Sequence, residues 1–354
     1  MSRFLHPQYA GLEAYTPGEQ PRDQQYIKLN TNESPYPPAP AVLAALTEQD
    51  LADLRLYSDP EGTALRAKLA GLYGVEAGQV FLSNGSDDIL NFAFMAFGAD
   101  GAVFPALTYS FYPVFANLHG VAYETVPLRE DFTLDVAGMQ GKGKLTVFPN
   151  PNAPTGIALP LDQVEAIVAS NPDHVVVVDE AYVDFGADSA VPLLQKYENL
   201  LVVMTYSKSR SMAGARLGFA LGSRALIQDL EKLKYSTNPY NVNRLTLKLG
   251  QAAVDSDGYF REKAREIMAT REKTAQALRA LGFTLPDSQA NFLFVAHPKV
   301  AGETLYRKCK EKGVLIRHFS DPAIAAYNRV TIGTPAEMEA FLAVVQTILK
   351  EEGA

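Results

Sequence analysis

Four valines in a row, at 175–178, run straight into Asp179 and constrain this chain more than any other feature of it. Apolar side chains at consecutive positions point to both faces of a strand, so both faces must be covered. Similar short runs, QVFLS, AVFPA, KLTVFP, LLVVMTY and LGFALG, alternate with helical patterns between about residues 41 and 250. Alternation of this kind predicts an α/β fold with a mostly parallel central sheet flanked by helices. Residues 1–40 are rich in helix breakers (PQYAGLEAYTPGEQPR, then SPYPPAP) and are expected to form an extended arm. After 250 come a charged helical stretch over 258–281, strands at NFLFV, GVLIRHF and NRVTIG, and a closing helix over 335–352. With 354 residues, 47% of them hydrophobic, there is apolar material for this second, smaller α/β unit beside the main core. The expected division is an arm over 1–40, a large domain over 41–250 and a small C-terminal domain over 251–354.

A net charge of −8 argues against a nucleic-acid backbone or an anionic membrane as partner, since either needs a basic face. An anionic ligand has to be caught locally. The N-terminus lacks the apolar core of a signal peptide, and no apolar run approaches the roughly 20 residues that span a bilayer, so a cytoplasmic location is expected. The single cysteine, Cys309, excludes an intrachain disulfide. Five scattered histidines show no helical zinc spacing, and no metal centre is expected.

Three places carry chemistry. Ser207-Lys208-Ser209-Arg210-Ser211 follows directly on LLVVMTY, and Arg216 stands eight residues beyond the lysine. Open α/β sheets bind ligands at the C-terminal ends of their strands, where a lysine amine can meet an aldehyde and hydroxyls and a guanidinium suit a phosphate. The same letters also fit a solvated loop. Asp179 closes the valine run, and a carboxylate there is costly unless a cation meets it. A pyridinium nitrogen is such a cation, although an isolated Asp is as often a helix cap. Asp179 and Lys208 lie one crossover apart, so both can face one crevice. The turn Ser83-Asn84-Gly85-Ser86-Asp87-Asp88 ahead of an apolar helix offers free N–H groups to a phosphate, or is a plain capped helix start. Tyr109 offers a flat face to a ring, or packs in the core.

With Asp179, Lys208 and Arg216 in order, the chain resembles the fold-type I aminotransferases that use pyridoxal 5'-phosphate (PLP), and most closely the histidinol-phosphate aminotransferase family. LNTNESPYPP (29–38), YSDPEG (57–62), SNGSDD (83–88), NPNAPTG (150–156), VVDEAYVDF (177–185), YSKSRSMAGARLG (206–218) and NRVTIGT (328–334) carry the resemblance across nearly the whole chain. It implies Lys208 as the Schiff-base lysine and general acid/base, Asp179 as the pyridinium partner, Tyr182 at the phenolic oxygen and Tyr109 stacked on the ring. It implies Gly85, Ser86, Ser207 and Arg216 around the cofactor phosphate, with Asp87 beside them. Tyr57 matches a tyrosine that reaches that phosphate from the neighbouring subunit, so a homodimer with shared sites is implied. Arg317 and Arg329 match a substrate-anion pair, Tyr15 a tyrosine of an arm that closes over substrate, and Asn32 and Tyr240 the substrate pocket.

Three departures stand out. Ala153 replaces the asparagine that many relatives place at the phenolic oxygen, and Asn152 takes that role only if the turn is shifted. Asp88 stands where glutamate is commoner, and Ser58 replaces a proline. The implied reaction is L-histidinol phosphate plus 2-oxoglutarate giving imidazole acetol phosphate plus L-glutamate. An aromatic or broad-range aminotransferase and a phosphothreonine-type decarboxylase would use the same core, and a non-catalytic binding protein could keep the fold.

Overall fold

The computed structural model describes residues 2–13, 18–21 and 23–354. Its strands in chain order are β1 (Ile27–Lys28), β2 (Val80–Ser83), β3 (Ala102–Pro105), β4 (Tyr123–Val126), β5 (Leu145–Pro149), β6 (Val176–Asp179), β7 (Leu200–Thr205), β8 (Gly218–Gly222), β9 (Phe292–Ala296), β10 (Val314–Leu315), β11 (Arg317–His318) and β12 (Tyr327–Thr331). Seven of them form the central sheet in the order β2-β8-β7-β6-β5-β3-β4. All neighbours are parallel except that β8 runs against both β2 and β7.

The valine run behaves as a doubly buried strand. Val176 and Val178 enter one apolar core with Leu65, Val164 and Leu247, whereas Val177 enters the core on the other face with Phe94, Phe104 and Leu230. Helices Thr63–Tyr73, Leu161–Ala169 and Arg244–Asp255 cover the first face, and Ser86–Phe97, Phe111–His119 and Arg224–Thr237 the second. The edge strand β4 was not foreseen. Its sequence Tyr-Glu-Thr-Val is mostly solvent-facing, so it lacks the apolar signature of its neighbours.

The C-terminal layer is a sheet ordered β11-β12-β9 with helices Gly302–Glu311 and Pro335–Glu351 packed against it. The stretch expected as an arm is not uniform. Its β1 pairs in parallel with β10, and Leu29, Asn30 and Asn32 are each 1% exposed. Leu29 belongs to the C-terminal core. The long helix Asp257–Ala280 joins the layers, with Phe260 in the first core and Ala264 and Ile267 in the C-terminal one. Among the described residues no helix is long and apolar enough to cross a membrane.

One contact ties the sheet to what lies at its edge. Gly218, the first residue of β8, pairs with Ser83 on β2 and Thr205 on β7, and a Cβ there would stand 2.5 Å from the Gly85 carbon and the Ser86 nitrogen. These are backbone atoms and cannot swing aside. Gly218→Ala is therefore expected to destabilise the fold by about 1–3 kcal/mol, read as a lowered urea midpoint; an unchanged midpoint would show that the turn at 85–86 yields freely.

Candidate active site

The sheet register brings the expected residues to one edge. Asp179 ends β6 opposite Pro149, which ends β5, and opposite Val203 on β7, so β7 runs two residues further to Thr205. Because β8 is antiparallel, its start falls at that same edge, beside Ser83 and Thr205. The loops leaving these ends line a cavity of about 170 Å³ that holds Lys208, Asp179, Tyr182, Tyr109, Ser86, Asp87, Ser207 and Arg216. Thr31, Glu33, Thr205 and Ala213 complete much of the wall, and the sequence singled out none of these four.

Asp179 is 4% exposed and accepts hydrogen bonds from the Tyr112 hydroxyl at 3.0 Å and the Ala181 N–H at 3.2 Å. Burial pushes its carboxyl up to about 6, while Tyr112, Ala181 and the nearby Lys208 pull it down. Tyr112 is a site residue the sequence did not reveal. Its signal was a tyrosine in the first turn of the helix after Tyr109, since a buried hydroxyl needs a partner. The neighbouring Glu180 accepts from the Ser189 hydroxyl and the Ala190 N–H, both at 2.6 Å, and burial raises it to about 8.

The end of the cavity near Arg216 is backed by the backbone of the turn at Gly85 and Ser86. Gly85 has φ +86° at the N-terminus of helix Ser86–Phe97, and a Cβ on it would stand 2.6 Å from Arg216 Nη2. That absence of side chain leaves a cradle of N–H groups at a helix start, with a guanidinium across it, which suits a phosphate. Gly85 lies behind the wall rather than on it. Asp87 links the parts: its carboxylate accepts from Tyr109 at 2.7 Å and from Arg216 at 3.1 Å. Burial and Asp87 together push the Tyr109 hydroxyl well up. The Ser207 N–H and the Thr205 hydroxyl are joined at 3.1 Å, and that hydroxyl donates to Ser207 Oγ at 2.9 Å.

Lys208 Nζ stands 5.6 Å from the centre of the Tyr182 ring. The Tyr182 hydroxyl accepts from Asn32 Nδ2 at 2.9 Å. Asn32, expected at the substrate, is not on the wall. Its backbone N–H and Oδ1 are both held by the Thr331 hydroxyl and its carbonyl by Asn291, so it reaches the site through Tyr182. Asn152 is also off the wall. Its amide donates to the Leu107 carbonyl and to Thr155 Oγ1, both at 3.2 Å, and Ala153 and Pro149 face the cavity in its place.

A second cavity, of about 450 Å³, shares Tyr109 and Ala153 with the first and contains Arg317 and Arg329. The two arginines are direct partners across β11 and β12, and Arg329 donates to the Asn30 carbonyl at 3.2 Å. Their guanidinium groups lie over aromatic rings, Arg317 over Phe319 at 5.8 Å and Arg329 over Phe292 at 5.4 Å. Tyr57 and Tyr240 line neither cavity. They stack on each other at 4.5 Å, with Tyr57 78% exposed. Tyr15 lies outside the described residues. Ser58, at the departure from proline, donates to the Val242 carbonyl at 2.8 Å.

Residues 24–345 match the family model for aminotransferases of class I and II. The chain is 48% identical over 353 residues to a histidinol-phosphate aminotransferase of Brachyspira hyodysenteriae, covering 99% of this chain and 100% of that one. It is 49% identical to histidinol-phosphate aminotransferase 1 of Bordetella parapertussis, over 98% and 99% of the two chains. The crystal structure of histidinol-phosphate aminotransferase from Sinorhizobium meliloti in complex with pyridoxal-5'-phosphate superposes with a TM-score of 0.87 at 23% identity, over 99% and 98% of the chains, and so shares the fold.

The burial of Asp179 has a measurable consequence in cofactor-free protein. Below about pH 4 the carboxyl is protonated in folded and unfolded chains alike. Between pH 4 and 6 the unfolded chain releases this proton and the folded chain keeps it, so stability falls as pH rises through that window. Asp179→Asn removes this cost. Its stability relative to the parent is expected to rise by about 3 kcal/mol from pH 4 to pH 7, measured by urea unfolding; a pH-independent difference would contradict the burial argument.

Proposed function

The chain belongs to the class I and II aminotransferases, within the histidinol-phosphate aminotransferase family, and on that premise we propose that it transfers an amino group between L-histidinol phosphate and 2-oxoglutarate. The observation that carries the substrate reading is the pair Arg317 and Arg329, set opposite each other in a cavity that shares Tyr109 and Ala153 with the one that holds Lys208. Two guanidinium groups suit a phosphate dianion, and the same forks accept the carboxylates of glutamate and 2-oxoglutarate.

PLP fits the residues present. Asp179 is a buried carboxylate that makes no ion pair among the described residues, and the cradle at Gly85 and Ser86 is kept open by the lack of a Cβ. Bound there, PLP supplies a reactive aldehyde and a ring that withdraws electrons. Lys208 Nζ anchors the cofactor and acts as general base toward the proton on the substrate carbon that bears the amine. Asp179 keeps the ring nitrogen protonated, and Tyr112 and Ala181 hold its carboxylate in place. Tyr182, fixed by Asn32, would serve the phenolic oxygen, and Tyr109, fixed by Asp87, would stack on the ring. Ser86, Ser207 and Arg216 would hold the phosphate and so fix that end of the cofactor. With Ala153 on the wall and Asn152 turned away, Tyr182 is left as the main donor at the phenolic oxygen.

A homodimer fits the surface. Leu43, Leu51, Leu54, Leu56, Tyr57 and Tyr240 are exposed large apolar residues, from 42% to 78% accessible, and a second copy would cover such a face. Tyr57 would then enter the partner's phosphate cradle. The net charge of −8 and the absence, among the described residues, of a helix able to cross a membrane support a cytoplasmic enzyme without nucleic-acid or membrane partners.

Steady-state assays with L-histidinol phosphate, phenylalanine and phosphothreonine test the assignment. Histidinol phosphate is expected to give the highest kcat/KM; a higher value for phenylalanine, or carbon dioxide release from phosphothreonine, would move it to one of the rival activities. Arg317→Ala is expected to raise KM for histidinol phosphate by about 10- to 100-fold, the worth of a charge-assisted contact. Lys208→Ala is expected to abolish transamination while PLP still binds without a covalent bond, and retained turnover would remove Lys208 from the chemistry.

A further inference from the structure

The turn that cradles the phosphate is closed by bonds of its own and is also held from outside, by the segment that follows helix Arg224–Thr237. Asn241 Nδ2 donates to Ser83 Oγ and to Asp88 Oδ2, both at 2.7 Å. The same Asp88 oxygen accepts from Ser83 Oγ at 2.6 Å and from the Asn84 N–H at 3.3 Å. Asp88 thus closes the turn on itself, and Asn241 is the one contact in this set that comes from a distant part of the chain. The amide can sit only this way round, because the flipped group would set its oxygen against the Asp88 carboxylate.

The residues around Asn241 hold the loop at Tyr57 and Ser58. Val242 takes the Ser58 hydroxyl on its carbonyl at 2.8 Å, and Arg244 donates to the Tyr57 carbonyl at 2.8 Å. Tyr240 stacks on the Tyr57 ring. A segment of five residues, 240–244, therefore grips the cradle on one side and the Tyr57 loop on the other.

From this geometry we infer that Asn241 is a positioning residue for cofactor retention, which sets the 83–88 turn relative to the loop that carries Tyr57. The inference rests on the reading of that turn as the phosphate site.

The test is a pair of substitutions that first breaks and then rebuilds the contact. Asn241→Asp sets a second carboxylate against Asp88, and the Kd for PLP is expected to rise at least tenfold. Combining it with Asp88→Asn restores one amide and one carboxylate with their places exchanged, and the Kd is expected to return to within threefold of the parent. Asn241→Ala, which removes the contact without adding charge, is expected to raise the Kd in the same direction and serves if Asn241→Asp fails to fold. Urea midpoints of the cofactor-free proteins are measured alongside. A purely structural role would lower them and the double substitution alike. An unchanged Kd in a folded single variant overturns the inference, as does a raised Kd that the exchange leaves uncorrected. Failure of the parent protein to bind PLP would instead overturn the reading of the cradle itself.

Discussion

Asp179 stands at the end of β6 in register with Pro149 on β5, and two positions short of the end of β7, so the loop bearing Lys208 leaves the sheet just beyond it. Val176 and Val178 pack into one helical layer and Val177 into the other, so valine suits both faces and it is Asp179, at the strand's end, that a one-residue slip would misplace. A slip would exchange the two faces and carry Asp179 away from the Lys208 loop. The antiparallel β8 completes the edge by bringing its first residue, Gly218, up against the Gly85–Ser86 backbone. The cradle, the buried carboxylate and the lysine are thus consequences of one sheet geometry.

The charges at this edge suit a ligand of mixed sign. Asp179, pushed up by burial and hydrogen-bonded by the Tyr112 hydroxyl and the Ala181 N–H, is better placed with a cation against it. Arg216 and the helix start at Ser86 favour an anion, which Asp87 only partly replaces by bonding Arg216 on one oxygen and Tyr109 on the other. A ring with a protonated nitrogen at one end and a phosphate at the other meets both demands. Arg317 and Arg329 lie further along, in the adjoining cavity, where a second anion can be held clear of the cofactor phosphate.

Much of this was legible because the informative residues sit in apolar frames. The valine run marked β6, LLVVMTY marked β7, and Asp179 and Lys208 directly follow them, so pattern alone placed both at strand ends. The edge strand β4 escaped because half of it faces solvent, and the reversal of β8 escaped because a fully buried strand reads the same in either direction. Asn32 and Asn152 had the right motifs, but an amide's orientation depends on partners distant in sequence. Asn32 is fixed by Thr331, 299 residues away, and Asn152 by Leu107. Tyr112 had only its place in the first turn of a helix as a signal, and Asn241 had none. Each became visible only through the atom it touches, Asp179 Oδ2 in one case and Asp88 Oδ2 in the other.

The claim on which the rest depends is that Lys208 and Asp179 converge on one PLP molecule. Borohydride reduction of the PLP-loaded protein, followed by peptide mapping, tests it most directly, because the reduction fixes the cofactor to the amine that held it. A phosphopyridoxyl group on the peptide that contains Lys208 is the result expected. The same group on another lysine, or on none, would contradict it.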